Sequence, residues 1–298
     1  MTATVPAVTV PTTTPADRRQ WQLISRRFRR HRLAVAALVV LLALLVCCFG
    51  ATWIAPFARN AQDLALGPVA PSAAHWLGTD ELGRDYLSEI LYAGRISLAI
   101  GLSVAVLSTT VGTVLGAAAG YFGGWLDEVV MRVTDLFLVV PGIVVLAVAL
   151  EGFGHTPTTI VPVLAALGWT SVARVVRGQV VSLREKEYVA AAVVLGANHR
   201  RIIARHILPN LTGVIAVSTS LGAATAVIIE STLSFLGYGV QPPESSWGNM
   251  LSQASGLIGT DKVYLLYFPG LFILLTALSI NFLGDGMRDA LDPQGGRS

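Results

Sequence analysis

Charge is scarce in this sequence: Asp, Glu, Lys and Arg make up 13% of its 298 residues, about half the share found in soluble domains. That excludes an ordinary cytosolic enzyme, and a 53% apolar content excludes a disordered chain. Cysteine is nearly absent as well. Cys47 and Cys48 are adjacent within an apolar run, so they build no disulfide framework, and no Cys/His spacing suits a metal. They read as small apolar side chains in a helix. Lysine occurs only at Lys186 and Lys262, and neither follows a glycine, so the phosphate cradle G-x-x-x-x-G-K-[ST] is missing. What the chain has instead is long runs of Leu, Val, Ala and Gly with a mean hydropathy of +0.64. It reads as a polytopic membrane protein.

A helix needs about 20 mostly apolar residues to cross the hydrocarbon layer. Leu33–Ile54 is the first such stretch, too long for a signal-peptide core and lacking a cleavage site, so it is expected to stay as an anchor. Ile96–Leu126 supplies a second span and a Gly-rich turn at residues 120–124. Val133–Leu150 is the third, with Asp135 near its start and Pro141-Gly142 near its middle. Thr158–Val172, Leu211–Leu236 and Val263–Leu283 complete a set of six, the fifth carrying Glu230. Pro141 and Pro162 are expected to kink their helices. Gly112, Gly116 and Gly120 form a stripe that suits close helix packing. The Pro/Thr-rich Met1–Pro15 reads as a disordered tail.

Basic residues set the orientation. With alternate loops grouped, seventeen Lys and Arg fall on the side of the termini and four on the other. Both termini are therefore expected in the cytoplasm, and the basic pI of 9.1 follows from topology without invoking nucleic acid. The expected layout is a cytoplasmic basic tail 1–32, a first transmembrane helix 33–55 and an extracytoplasmic segment 56–94. A core of five helices, 95–284, and a cytoplasmic tail 285–298 follow. No intramembrane protease site stands out, because Gln253-Ala254-Ser255-Gly256 lacks the first glycine of a G-x-S-G motif.

The most informative stretch is the cytoplasmic connection 174–209. Tyr188, Ala191, Ala192 and Leu195 recur at i, i+3, i+4 and i+7, one face of a helix made of mostly small residues. Gly196 suits the helix end, Asn198 can cap a second helix, and Pro209 comes close to the next span. Ala190-Ala191-Ala192, Gly196 and Leu208-Pro209 stand at the spacing of the EAA motif, which the chain resembles although Ala190 replaces the usual Glu and His206 the usual Ile. His75-Trp76-Leu77-Gly78-Thr79-Asp80-Glu81-Leu82-Gly83-Arg84-Asp85 is similar to a second signature. A third runs from Glu230 to Pro243 and on to Ser246-Trp247-Gly248. Together they resemble the C-type permeases of ABC importers for dipeptides, oligopeptides and nickel, over about Leu33 to Leu291.

The resemblance implies an all-α fold of six transmembrane helices, that of type I ABC-importer permeases with a cytoplasmic coupling helix. It implies a plasma-membrane subunit that is not itself an enzyme and binds no cofactor, with ATP and Mg held by two P-loop ATPase partners. A second homologous permease would share the path, and an extracytoplasmic binding protein would deliver peptide. Tyr188, Ala190, Ala191, Ala192, Leu195, Gly196, Leu208 and Pro209 would then couple to the ATPase. Asp135 and Glu230 are candidates for the path, and Asp80, Glu81, Asp85 and Trp247 for docking the binding protein. Transport of nickel or another small solute, or a membrane scaffold that no longer transports, are the alternatives.

Overall fold

The computed structural model describes residues 25–59 and 61–291; Met1–Pro15 and the tail arginines Arg18, Arg19 and Arg297 lie outside them. Among the described residues the longer helices are α1 (Arg32–Phe49), α2 (Tyr86–Phe122), α3 (Gly124–Val139), α4 (Gly142–Phe153) and α5 (Pro157–Arg184). Then come α6 (Glu187–Val194), α7 (Thr212–Phe235), α8 (Trp247–Ala254) and α9 (Tyr264–Leu291). Among the described residues five stretches are long and apolar enough to cross a membrane: α1, α2, α5, the run ending in α7, and α9. α3 and α4 pass the same test only together, as a bent pair that makes a sixth crossing when read as one broken span.

That break corrects the expected third span, which is not a kinked rod. The axis turns by 90° between α3 and α4. Pro141 has no N–H to donate and biases Val140 toward the extended conformation it adopts, so helical bonding stops there and restarts at Gly142. Pro162, by contrast, lies within α5 without dividing it. Two helices also outrun their apolar cores. The second starts at Tyr86 rather than Ile96, and at 37 residues it is about 55 Å long, so its first turns stand clear of the hydrocarbon. Residues 174–184, expected in a connecting loop, continue α5 to Arg184.

Helix ends follow local chemistry. Asp85 caps α2 by accepting the Ser88 N–H at 2.9 Å. Ser246 caps α8 through the Asn249 N–H, and the His31 ring accepts the Ala34 N–H at the start of α1. Gly123, at φ +66°, ends α2.

The bundle is organised around α2. Its glycine stripe faces α5: a Cβ at Gly112 would meet the Trp169 carbonyl oxygen at 2.7 Å, one at Gly116 would run into Ala173, and one at Gly120 would meet the Arg177 carbonyl at 2.8 Å. Two backbones thus run in contact over two turns, which no side chain permits. Gly116→Leu is expected to destabilise the protein by about 1–3 kcal/mol or more, read as a lowered melting temperature in detergent. Gly178→Leu, at an α5 glycine with open space around it, is the control that should leave the melting temperature unchanged.

Candidate functional site

Three places hold the residues singled out by the sequence. The first is the connection between α5 and α7. There α6 ends in two bonds that close its last turn, Gly196 N–H to the Val193 carbonyl at 2.9 Å and Ala197 N–H to the Ala192 carbonyl at 3.0 Å. This pairing needs a left-handed residue, and Gly196 has φ +77° with nothing near the place of a Cβ. Asn198 caps the next turn, accepting the Arg201 N–H at 2.8 Å. A π-turn, Ile203–Ile207, precedes Pro209. The wider turn suits a proline that can neither donate to nor pack over the preceding turn.

The four residues expected on one face of α6 do not all point the same way. Ala192 is buried beside Val189 against Val176, Val180 and Ile207. Tyr188, Ala190, Ala191 and Leu195 are exposed, as is Val194; both Val194 and Leu195 keep 86% of their surface. The helix therefore has an inner apolar edge that ties it to its own bundle and an outer one that is left exposed by the described residues. Leu208 is half-buried and Pro209 exposed. Pins at the base hold the unit to the bundle: the Tyr121 hydroxyl is 2.9 Å from Nδ1 of His199, and Arg184 donates to the Tyr121 carbonyl at 3.1 Å.

Asp135 lies on α3, half-exposed, and accepts from Arg174 of α5 at 2.6 Å. A second pair, two turns earlier, joins the same helices: Arg177 donates both Nε and Nη2 to Asp127, at 2.5 and 2.6 Å. Two ion pairs thus strap the first arm of the broken span to α5. Asp127 was not among the residues singled out from the sequence, although its eight-residue spacing from Asp135 puts the two on nearly one face.

The second place surrounds Glu230, which is wholly buried. Its carboxylate is the acceptor end of a converging hydroxyl network. Ser97 of α2 donates to Oε2 at 3.2 Å and Ser234 to Oε1 at 2.7 Å. Ser97 in turn accepts the Trp247 N–H at 3.2 Å, while Ser234 accepts from the Ser246 hydroxyl at 3.1 Å and the Val240 N–H at 3.3 Å. One carboxylate thereby ties together α2, α7, the loop 236–246 and the start of α8. Ser234, one turn after Glu230, was legible as a partner; Ser97 and Ser246 come from other parts of the chain.

The third place is the segment before α2, where the expectation of a docking surface meets a different geometry. Asp80 is turned inward, accepting the Leu82 and Arg84 N–H groups, each at 2.9 Å, and the Arg84 guanidinium. Asp85 is buried between the α2 cap and the His75 ring, 2.9 Å away. The Trp247 indole is fully buried, donating to the Ile90 carbonyl at 2.9 Å and packed over Gly94. All three are held by their own chain, which leaves Glu81 as the exposed member of the set. It stands at the rim of a 350 Å³ cavity with Arg84, Glu89 and Gln253.

Two larger hollows lie along the helices. One of about 440 Å³ is walled by α2, α4, α5 and α7. Ser171, Thr225 and Thr232 on its wall donate to carbonyls of their own helices, at 3.2, 2.9 and 2.8 Å, which leaves their oxygens able to accept. The other, about 800 Å³, lies between α2 and the stretch 203–219 and is almost wholly apolar.

Residues 112–294 match the family described as the binding-protein-dependent transport system inner membrane component, and residues 19–68 the N-terminal TM domain of oligopeptide transport permease C. Similar proteins include an oligopeptide transport system permease protein of Haemophilus influenzae, 41% identical over 92% of this chain and 88% of that protein. An oligopeptide transport system permease protein of Mycobacterium tuberculosis is 39% identical, over 91% of this chain and 94% of its own. A dipeptide transport system permease protein of Bacillus subtilis is 40% identical over 90% and 84%.

Proposed function

The chain belongs to the family of binding-protein-dependent transport system inner membrane components, and from that premise we propose that it is one permease of an ATP-driven peptide importer. The observation that carries the reading is the outer edge of α6, an apolar ridge of Tyr188, Ala191, Val194 and Leu195 that its own bundle leaves uncovered. Such a ridge fits a groove on an ATPase partner, with Ala190 and Gly196 beside it clearing room for close approach. Ala192 acts from the inner side, passing the motion on to the bundle. Leu208 and Pro209 set the angle at which the connection rejoins the membrane. ATP and Mg belong to two such ATPase subunits, and both termini face the cytoplasm with α6.

In this reading a second, homologous permease closes the path, and a binding protein delivers peptide at the opposite face, where Glu81 is the available contact. Asp80, Asp85 and Trp247 serve that face by holding its shape. The path follows the hollow between α4, α5 and α7. Its hydroxyl oxygens can accept peptide N–H groups whatever the side chains, which suits cargo of varied sequence. Asp135 and Glu230 fix the helices that wall the path: one straps the broken span, the other anchors α7 to α2. A swing of α6 carries the following turn, whose His199 is held to Tyr121 of α2, while Arg184 joins the end of α5 to the same tyrosine; the motion thus reaches the walls as a rigid movement, the kind that switches a bundle between discrete arrangements.

Affinity purification of the tagged chain from mild detergent tests the assembly. A second permease and P-loop ATPases are expected in the eluate, with ATP hydrolysis stimulated by a peptide-loaded binding protein. Recovery of the chain alone in several detergents would sink the proposal in favour of a scaffold. Stimulation by nickel rather than peptide would reassign the cargo.

A further inference from the structure

Five arginines crowd into the seven residues that lead into α1 and include its first: Arg26, Arg27, Arg29, Arg30 and Arg32. All five are exposed, and residues 25–30 are helical. The segment is pinned to the end of α9 rather than trailing free. Phe28 lies half-buried over Gly286, where a Cβ would come within 3.3 Å of its ring. The His31 ring lies 3.7 Å from Asp289, and Ala34 packs directly on Gly286. Apolar Phe28 lies against the protein, while the arginines around it are exposed.

Depth follows from length. With 18 residues, α1 is about 27 Å long, close to the hydrocarbon thickness of about 30 Å. Arg32 therefore stands at the hydrocarbon edge and Arg26–Arg30 at the level of the lipid phosphates. Planar guanidinium groups bind phosphate through paired hydrogen bonds. Of the carboxylates at this end of α9, Asp289 is engaged with His31, and Asp285 is exposed one turn earlier. We infer that the segment Arg26–Arg32 is a binding site for the phosphate headgroups of anionic phospholipids. A topogenic role needs positive charge only while the chain inserts; Arg26, Arg29 and Arg30, exposed on a pinned segment at phosphate depth, stay accessible in the finished protein.

The full-length chain, purified with its associated subunits, is mixed with equal amounts of dioleoyl phosphatidylglycerol and dioleoyl phosphatidylcholine. Retained lipid is counted by native mass spectrometry. Phosphatidylglycerol is expected to be preferred, and Arg26→Gln, Arg29→Gln and Arg30→Gln together should cut the preference by about tenfold or more. The corresponding three lysine substitutions should keep most of it. Equal retention of the two lipids by the unaltered protein overturns the inference, as does an undiminished preference in the glutamine variant. Salt gives an arm that needs no variant: raising KCl from about 0.05 M to about 0.5 M should erase the preference, and a salt-insensitive preference also overturns it.

Discussion

Replacing Gly196 by valine is expected to reduce substrate uptake to the level of cells lacking the chain, while the protein remains in the membrane at normal abundance. Gly196 is left-handed and its surroundings are open. The defect would therefore come from two local sources. A β-branched residue at this φ carries a strain of about 1–3 kcal/mol, relieved by unwinding the last turn of α6 and so displacing Val194 and Leu195. The added side chain also stands on the face left for a partner. Asparagine tolerates the left-handed conformation, so Gly196→Asn would keep the turn and separate the two sources: this variant should retain part of the uptake if strain dominates. In both variants Val189 and Ala192 still fasten α6 to the bundle, so stability should hardly move. Full uptake with Gly196→Val would remove α6 from the coupling mechanism.

Loss of the Glu230 carboxylate is the second large effect. Glu230→Ala withdraws the acceptor from Ser97 and Ser234 in a site that water does not reach. Each buried donor left without its bond costs about 1–3 kcal/mol, so about 2–6 kcal/mol for the pair. The expected result is a steep fall in melting temperature and in extractable protein, with loosening of residues 236–254 in hydrogen exchange. Glu230→Gln keeps one carbonyl acceptor and should lose less. A Glu230→Ala protein that melts normally yet fails to transport would place Glu230 in the path itself rather than in the fastening of α7 to α2.

Neither site was fully legible beforehand, for reasons that differ. The Gly196 turn was readable because a helix end in the left-handed region is a local matter of a few residues. The facing of α6 was not. Its i, i+3, i+4, i+7 pattern identifies an apolar helix, yet α6 is apolar on two edges, and only packing against Val176, Val180 and Ile207 selects Val189 and Ala192 as the inner one. The same ambiguity attends Asp80, Asp85 and Trp247, expected at a docking surface and found buried. Polar residues in a segment outside the spans look available to a partner, whereas here they cap, brace and fill a knot that closes over the start of α2. Its glycines carry the same message. Gly83 sits at φ +69° against the backbone of Asp63, an approach between segments twenty residues apart.

Taken by itself, the sequence determined that the chain crosses a membrane, roughly where it does so, and to which transport family it is similar. Those properties reside in stretches of 18 or more apolar residues and in motifs of contiguous spacing, which need no knowledge of neighbours. Tertiary structure decided the rest. It set how far α2 and α5 run past their apolar cores, since a polar helical turn persists only where another element supports it. It turned the span at Pro141 by 90° and strapped its first arm to α5 through Asp127 and Asp135. It also gathered Ser97, Ser234 and Ser246 around Glu230. A buried carboxylate must find hydrogen-bond partners wherever the fold brings them, and two of these three lie far from it along the chain.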